Sequence, residues 1–195
     1  MIESKLISKA LFTDKSFNNL EEVMVQIGVK SYAFMEQTHS NKITHAKKSG
    51  IYKSDGIFTL NKDLGLVVKT ADCMPIFLKD KNSIGVVHVG WRGVKNKIVN
   101  NALKNFNLNE LLMSVGPHAQ SCCYEVKEDV SKYLYKYIDK REGKEYLNMS
   151  ESLRDLSNKI GFEIEVSSIC TICDSSYNSY RENKTSKRQY GFIWQ

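Results

Sequence analysis

The sequence predicts an α/β fold of mixed α+β character: a single-domain mixed sheet with flanking helices, spanning residues 1–195. Three observations predict it. Short apolar runs rich in β-branched residues cluster between residues 66 and 89. Apolar residues recur at helical spacing in four other segments. No repeat, low-complexity stretch or Pro/Gly/Ser linker divides the chain. At 195 residues and 42% hydrophobic content, the chain is long enough for one sizeable core.

The elements follow in order. Leu20, Val23, Met24 and Ile27, closed by Gly28, predict a short helix with a glycine just past its end. Residues 31–35 predict a strand. Leu66 to Lys69, Met74 to Leu78 and Ile84 to Val89 predict buried strands lying side by side in one sheet. After the turn Gly90-Trp91-Arg92-Gly93, the spacing of Val94, Ile98, Ala102 and Phe106 predicts one helix covering a sheet face. Leu111 to Val115 predicts a strand, turned by Gly116-Pro117. Val126, Val130, Tyr133, Leu134 and Tyr137 predict a further helix, and Met149, Leu153, Leu156 and Ile160, ended by Gly161, predict another. Phe162 to Val166 predicts one more strand.

Composition narrows the function classes. No stretch approaches the roughly 18 apolar residues of a membrane span, and the opening MIESKLISKA lacks the apolar run of a secretory signal, so a cytoplasmic protein with no membrane partner is expected. Five scattered cysteines in a reducing cytosol argue against a disulfide framework and leave thiol chemistry or metal binding. The net charge of +6 suits anionic ligands, but the lysines are dispersed apart from short stretches such as Lys184 to Arg188. They read as a solvated surface, not a nucleic-acid footprint. The chain is expected to be a monomer.

Three residues form a candidate metal set. His39 follows a predicted strand in Gln37-Thr38-His39-Ser40. Cys73 lies in Thr70-Ala71-Asp72-Cys73-Met74-Pro75, where polar residues interrupt a buried apolar run and need partners. His88 stands near the end of Ile84 to Val89, before a glycine-bounded turn. Two imidazoles and one thiolate suit Zn2+, and three protein ligands leave a position open for water or substrate. Spacing alone does not make them converge, and the competing reading of Cys73 is a buried structural thiol. Asp72 either takes a proton during catalysis or orients His39 or His88. Arg92, beside a predicted helix start, suits phosphate or carboxylate. His118, in the loop after Gly116-Pro117, reads as a substrate contact, and His45 as a surface residue. Cys170-Thr171-Ile172-Cys173 is a single CxxC, the pattern of a redox pair or of half a structural zinc site; with no second CxxC in the chain, packing thiols are the favoured reading of Cys170 and Cys173. The adjacent Cys122 and Cys123 read as part of a wall.

Taken together, Gln37-Thr38-His39-Ser40, Asp55-Gly56, Thr70-Ala71-Asp72-Cys73-Met74-Pro75-Ile76, His88-Val89-Gly90-Trp91-Arg92-Gly93, Gly116-Pro117, Tyr124-Glu125-Val126 and Cys170-Thr171 resemble one family. It is the YfiH-like, or laccase-domain, family, also called polyphenol oxidases. The resemblance implies a fold similar to the catalytic domain of the cytotoxic necrotizing factor toxins, with zinc on His39, Cys73 and His88. It implies phosphorolysis of adenosine, inosine, guanosine and methylthioadenosine, with adenosine deamination, and hence a nucleoside and phosphate as partners. Arg181, in Ser179-Tyr180-Arg181-Glu182, and Arg188 match the family's C-terminal arginines in part. Near the N-terminus, Leu11 to Ser16 lacks the arginine that relatives carry there.

Two other chemistries compete for the same residues. A multicopper phenol oxidase needs roughly ten histidine and cysteine ligands, and this chain has four histidines; copper would be an adventitious occupant of the zinc site. A cysteine hydrolase or deamidase would use Cys73 as nucleophile with His88 as its base.

Overall fold

Apolar residues on both faces of the central strands dictate a layered architecture, and the computed structural model, which describes residues 1–17 and 19–195, is built that way. One six-stranded sheet runs in the order Ile2–Glu3, Ala10–Phe12, Gln189–Ile193, Gly65–Thr70, Tyr32–Glu36, Gly50–Lys53. Its last three strands are parallel neighbours and the rest are antiparallel. The second six-stranded sheet runs Glu163–Val166, Leu112–Val115, Met74–Lys79, Ile84–Val89, Gly56–Thr59, Ile43–His45, with parallel pairs only at its two edges. Glu125–Val126, Lys144–Leu147 and Ile138–Arg141 form a small separate antiparallel sheet, whose Val126 and Leu147 join the core on the outer face of the second.

The two large sheets pack on each other through Phe12, Ala33, Met35, Leu66, Val68 and Ile193 on one side and Ile57, Phe77, Ile84 and Val86 on the other. Phe12 and Phe77 stack with ring centroids 4.3 Å apart, each side chain contributing about 1.5–3 kcal/mol by leaving water. Val67 and Phe192, on the outer face of the first sheet, meet the helix Leu20–Gln26. Met74, Ile76, Leu78, Val87 and Val89, on the outer face of the second, meet the helices Ile98–Leu103, Glu128–Leu134 and Glu151–Ile160. Burial on both faces explains why these strands read as unbroken apolar runs.

The structure corrects several expectations. The runs around residues 66, 74 and 84 do not share one sheet. Gly65–Thr70 belongs to the first and the other two to the second, because Ala71-Asp72-Cys73, with Asp72 at φ +79°, carries the chain from sheet to sheet. The helix expected over Val94 to Phe106 is two helices, Trp91–Lys95 and Ile98–Leu103, broken at Lys97 with φ +56°. Val126 lies in a short strand, before the helix Glu128–Leu134 and the 3-10 turn Tyr135–Tyr137. The helix closed by Gly28 and the helix Glu151–Ile160 closed by Gly161 stand as expected, each glycine at positive φ. Among the described residues, no helix is long and apolar enough to cross a membrane.

Candidate metal centre and anion cavity

Strand direction places the site. Tyr32–Glu36, Gly50–Lys53 and Gly65–Thr70 are parallel, so their carboxyl ends share one end of the sheet, where ligand sites of such sheets form. Each then crosses to the second sheet. Residues 37–42 lead to Ile43–His45, Ser54-Asp55 to Gly56–Thr59, and Ala71-Asp72-Cys73 to Met74–Lys79. The crossings carry His39, Asp55, Asp72 and Cys73. His88 comes from the strand Ile84–Val89, whose His88 N–H donates to Asp55 O at 2.8 Å.

His39, Cys73 and His88 come together. One donor atom from each lies within 4.8 Å of the others, with Cys73 Sγ 3.9 Å from His39 Nε2 and the two imidazoles edge-on at 4.8 Å. Asp55, fully buried, organises them. Its carboxylate accepts from the backbone N–H groups of Thr38, His39 and Ser40 at 3.1, 2.9 and 2.6 Å, and from the Ser40 hydroxyl at 2.7 Å. These bonds hold His39 at φ +59°, an uncommon conformation for a residue with a side chain. Asp55 Oδ1 also lies 2.8 Å from His88 Nδ1, which leaves Nε2 to face Cys73.

The electrostatics follow from this packing. Burial disfavours charge on Asp55, but the hydrogen bonds from His88 and Ser40 outweigh it and hold the carboxyl well below the usual range. Burial also opposes charge on Cys73 and His88. Their mutual attraction, with help from His39 and Asp55, prevails and moves the thiol down to about 6 and the imidazole up to about 9. Without a metal the pair is therefore thiolate and imidazolium near neutral pH. Gly90 leaves the room between them: a Cβ there would meet Cys73 Sγ at 2.9 Å and His39 Cδ2 at 3.4 Å. Two ring nitrogens and one sulfur at this spacing, with a carboxylate behind one imidazole, fit a zinc ion.

A cavity of about 440 Å³ opens over the three donors. Arg92, Arg181, Arg188 and Lys69 line it, with Asp72 as its one carboxylate, so it favours an anion. Arg92 lies in the first turn of the short helix Trp91–Lys95 and stacks on Trp91 at 4.6 Å. Arg181 stacks on Tyr124 at 4.7 Å and donates from Nη1 to Glu125 O.

Asp72 does not orient either histidine. Its two oxygens accept from Thr171 Oγ1 at 2.9 Å and from the Arg181 backbone N–H at 2.7 Å, so it fixes the C-terminal segment, while Asp55 does the orienting. His118 is not a cavity residue: it is 1% exposed, and its Nδ1 meets Gly116 O at 2.8 Å. His45 is half-buried against Phe58. Cys170 and Cys173 do not pack apart from the other cysteines: with Cys122 and Cys123 they form one cluster, and Cys123 also lines a neighbouring cavity wall. Asp55 is the functional residue that residue-by-residue reading left without a role. Its signal was its place between two short apolar segments, where a carboxylate needs partners.

The family model described as multi-copper polyphenol oxidoreductase laccase matches residues 14–195. A protein of Aquifex aeolicus named purine nucleoside phosphorylase is 34% identical over 158 residues, covering 78% of this chain and 77% of the relative. One of Borreliella burgdorferi with the same name is 30% identical over 210 residues, covering 95% and 91%. Among solved structures, the hypothetical protein YfiH of Bacillus licheniformis aligns with a TM-score of 0.79 at 25% identity, over 89% of this chain and 79% of that one. YlmD of Geobacillus stearothermophilus aligns with a TM-score of 0.87 at 19% identity, over 98% and 94%, a likeness of fold. A match over nearly the whole chain, with the motif residues meeting at one site, places the chain in the YfiH-like, laccase-domain family.

Proposed function

We propose that the chain is a zinc-dependent purine nucleoside phosphorylase of the cytoplasm, acting on adenosine, inosine, guanosine and methylthioadenosine within one catalytic domain, with adenosine deaminase activity at the same centre. The observation that carries this reading is the sharing of one cavity by three guanidinium groups and the His39, Cys73 and His88 donors. The names of the relatives support a nucleoside as substrate.

His39, Cys73 and His88 would hold the zinc, which supplies a Lewis acid with a coordination position left open. Arg92, Arg181 and Arg188 bind the phosphate, each presenting a planar fork that matches two of its oxygens. Trp91, Tyr124 and Tyr180 offer aromatic faces for the base on the same walls. A phosphate oxygen forms a bond to the ribose anomeric carbon as the bond to the base nitrogen breaks, and the proton of the monohydrogen phosphate ends on the departing purine. The guanidiniums hold the nucleophile in place, and the electron pair of the broken bond stays with the base. Asp72 acts through Arg181, whose backbone it anchors.

A specific observation favours a second reading. Cys73, His88 and Asp55 stand in the order of a thiol nucleophile, its base and an orienting carboxylate, as a cysteine hydrolase or deamidase requires. Incubation of zinc-loaded protein with adenosine and inosine, with and without phosphate, tests the first reading. Base release only with phosphate supports phosphorolysis, and inosine formed from adenosine supports deamination. Absence of both contradicts the proposal. Alkylation of Cys73 while zinc stays bound supports the second reading.

A further inference from the structure

Four of the five cysteines have no part in the centre above, yet the fold brings them together from two segments about fifty residues apart. Cys122 and Cys123 stand in the turn 121–123, while Cys170 and Cys173 bracket the turn that begins at Thr171. Their four sulfurs lie within 4.8 Å of one another. Cys173 Sγ is 3.3 Å from Cys122 Sγ and 2.7 Å from Cys123 Sγ. We propose that these four thiolates hold a second metal ion, a structural Zn2+ distinct from the one at His39, Cys73 and His88.

The geometry suits that ion. Tetrahedral zinc with bonds of about 2.3 Å sets its sulfurs about 3.8 Å apart; the four sulfurs, all within 4.8 Å of one another, would reach that spacing around an ion by the opening of the 3.3 and 2.7 Å contacts at Cys173. Cys122 and Cys173 are exposed, so the group is not an apolar packing cluster, and sulfurs that could face solvent face one another instead. The Gln120 N–H donates to Cys170 Sγ at 3.4 Å. Four protein ligands close the coordination sphere, which marks a structural role, in contrast to the three donors that open onto the cavity.

The position gives the ion something to hold. Thr171, between two of the ligands, donates to Asp72, and Tyr124, next to Cys123, carries the Arg181 guanidinium. Cys123 and Ile172 also line a second cavity that shares Trp91, Arg92 and Arg181 with the first. The cluster therefore ties the loop after Gly116 to the C-terminal segment that builds the anion-binding wall. Loss of its ion would free that wall without touching His39, Cys73 or His88.

Metal analysis of the full chain, loaded with Zn2+ and dialysed, tests this. Two zinc ions per chain are expected in the unaltered protein, one in His39→Ala/His88→Ala and one in Cys122→Ser/Cys173→Ser. Cobalt in place of zinc in His39→Ala/His88→Ala is expected to give the intense near-ultraviolet sulfur-to-metal charge-transfer absorption of a tetrathiolate site. If Cys122→Ser/Cys173→Ser does not fold, mass spectrometry after alkylation of the unaltered protein decides. Cys122, Cys123, Cys170 and Cys173 are then expected to be protected by zinc and labelled once a chelator and denaturant are added. One zinc per unaltered chain, no thiolate absorption in the cobalt form, or fewer than five free thiols in the denatured, chelated protein would overturn the proposal, the last by showing disulfides in place of a metal.

Discussion

His88 Nδ1 and Asp55 Oδ1 lie 2.8 Å apart, and the same carboxylate caps the loop that presents His39. One buried acid thus sets both the tautomer of one imidazole and the backbone of the other. Asp55→Asn keeps the shape but removes the charge and half of the accepting capacity. Metal affinity is expected to fall by about 10- to 100-fold, measured by competition with a chromophoric chelator. Unchanged affinity would show that Asp55 serves the loop alone.

Binding of the metal should displace a proton. Between about pH 6 and 9 the metal-free pair is Cys73 thiolate and His88 imidazolium, whereas a metal takes the neutral imidazole. Calorimetric titration of zinc at pH 7.5 in buffers of different ionisation enthalpy is expected to report release of about one proton from this centre, in Cys122→Ser/Cys173→Ser so that only this centre is read.

The same pair makes metal-free stability depend on pH. The raised His88 contributes fully below its unfolded value of 6.5, and the contribution is lost as pH rises through about 9. The lowered Cys73 contributes above its unfolded value of 9.0 and loses its share as pH falls through about 6. The ion pair therefore stabilises the fold most between those limits. Denaturation by urea with a chelator present is expected to show the largest difference between the unaltered chain and Cys73→Ser inside that window, shrinking on both sides.

Gly90→Ala tests the room around the sulfur. Its φ of −92° suits any residue, so the effect comes from the added methyl against Cys73 Sγ, not from backbone strain. Zinc affinity at this centre is expected to drop on the order of tenfold, read by competition with a chromophoric chelator.

Arg181→Ala removes a charged donor from the cavity wall while leaving the backbone bond to Asp72. Loss of charge-assisted hydrogen bonds is expected to raise the KM for phosphate by about 10- to 100-fold, with a smaller change in the KM for nucleoside, read from initial rates. Equal effects on both would place Arg181 outside the phosphate site.

Much of this site was legible in the chain. His39, Cys73 and His88 interrupt or end apolar runs, and polar atoms in such places need partners. Their meeting was not legible from spacing. It depends on three parallel strands whose carboxyl ends all cross between sheets, and period-two patterning does not reveal which sheet a fully buried strand joins. The orienting role open to Asp72 falls to Asp55 for the same reason: both are acids beside a strand end, and only the crossings decide which one lies behind His88. The single CxxC of Cys170 and Cys173 is at most half of a metal site by its spacing, and packing thiols are favoured from sequence because the cysteines that meet it are an adjacent pair, Cys122 and Cys123, supplied by a distant turn. Short strands such as Gly50–Lys53 and Gly56–Thr59 carry too few residues to show alternation.

Anomalous diffraction at the zinc edge, from crystals of the zinc-loaded protein, measures most directly whether His39, Cys73 and His88 share one ion. The expected result is a peak bonded to all three, at about 2.0–2.1 Å from each nitrogen and about 2.3 Å from the sulfur, with one side open to the arginine-lined cavity. Zinc bound only elsewhere, with these three side chains directed into separate surroundings, would contradict it.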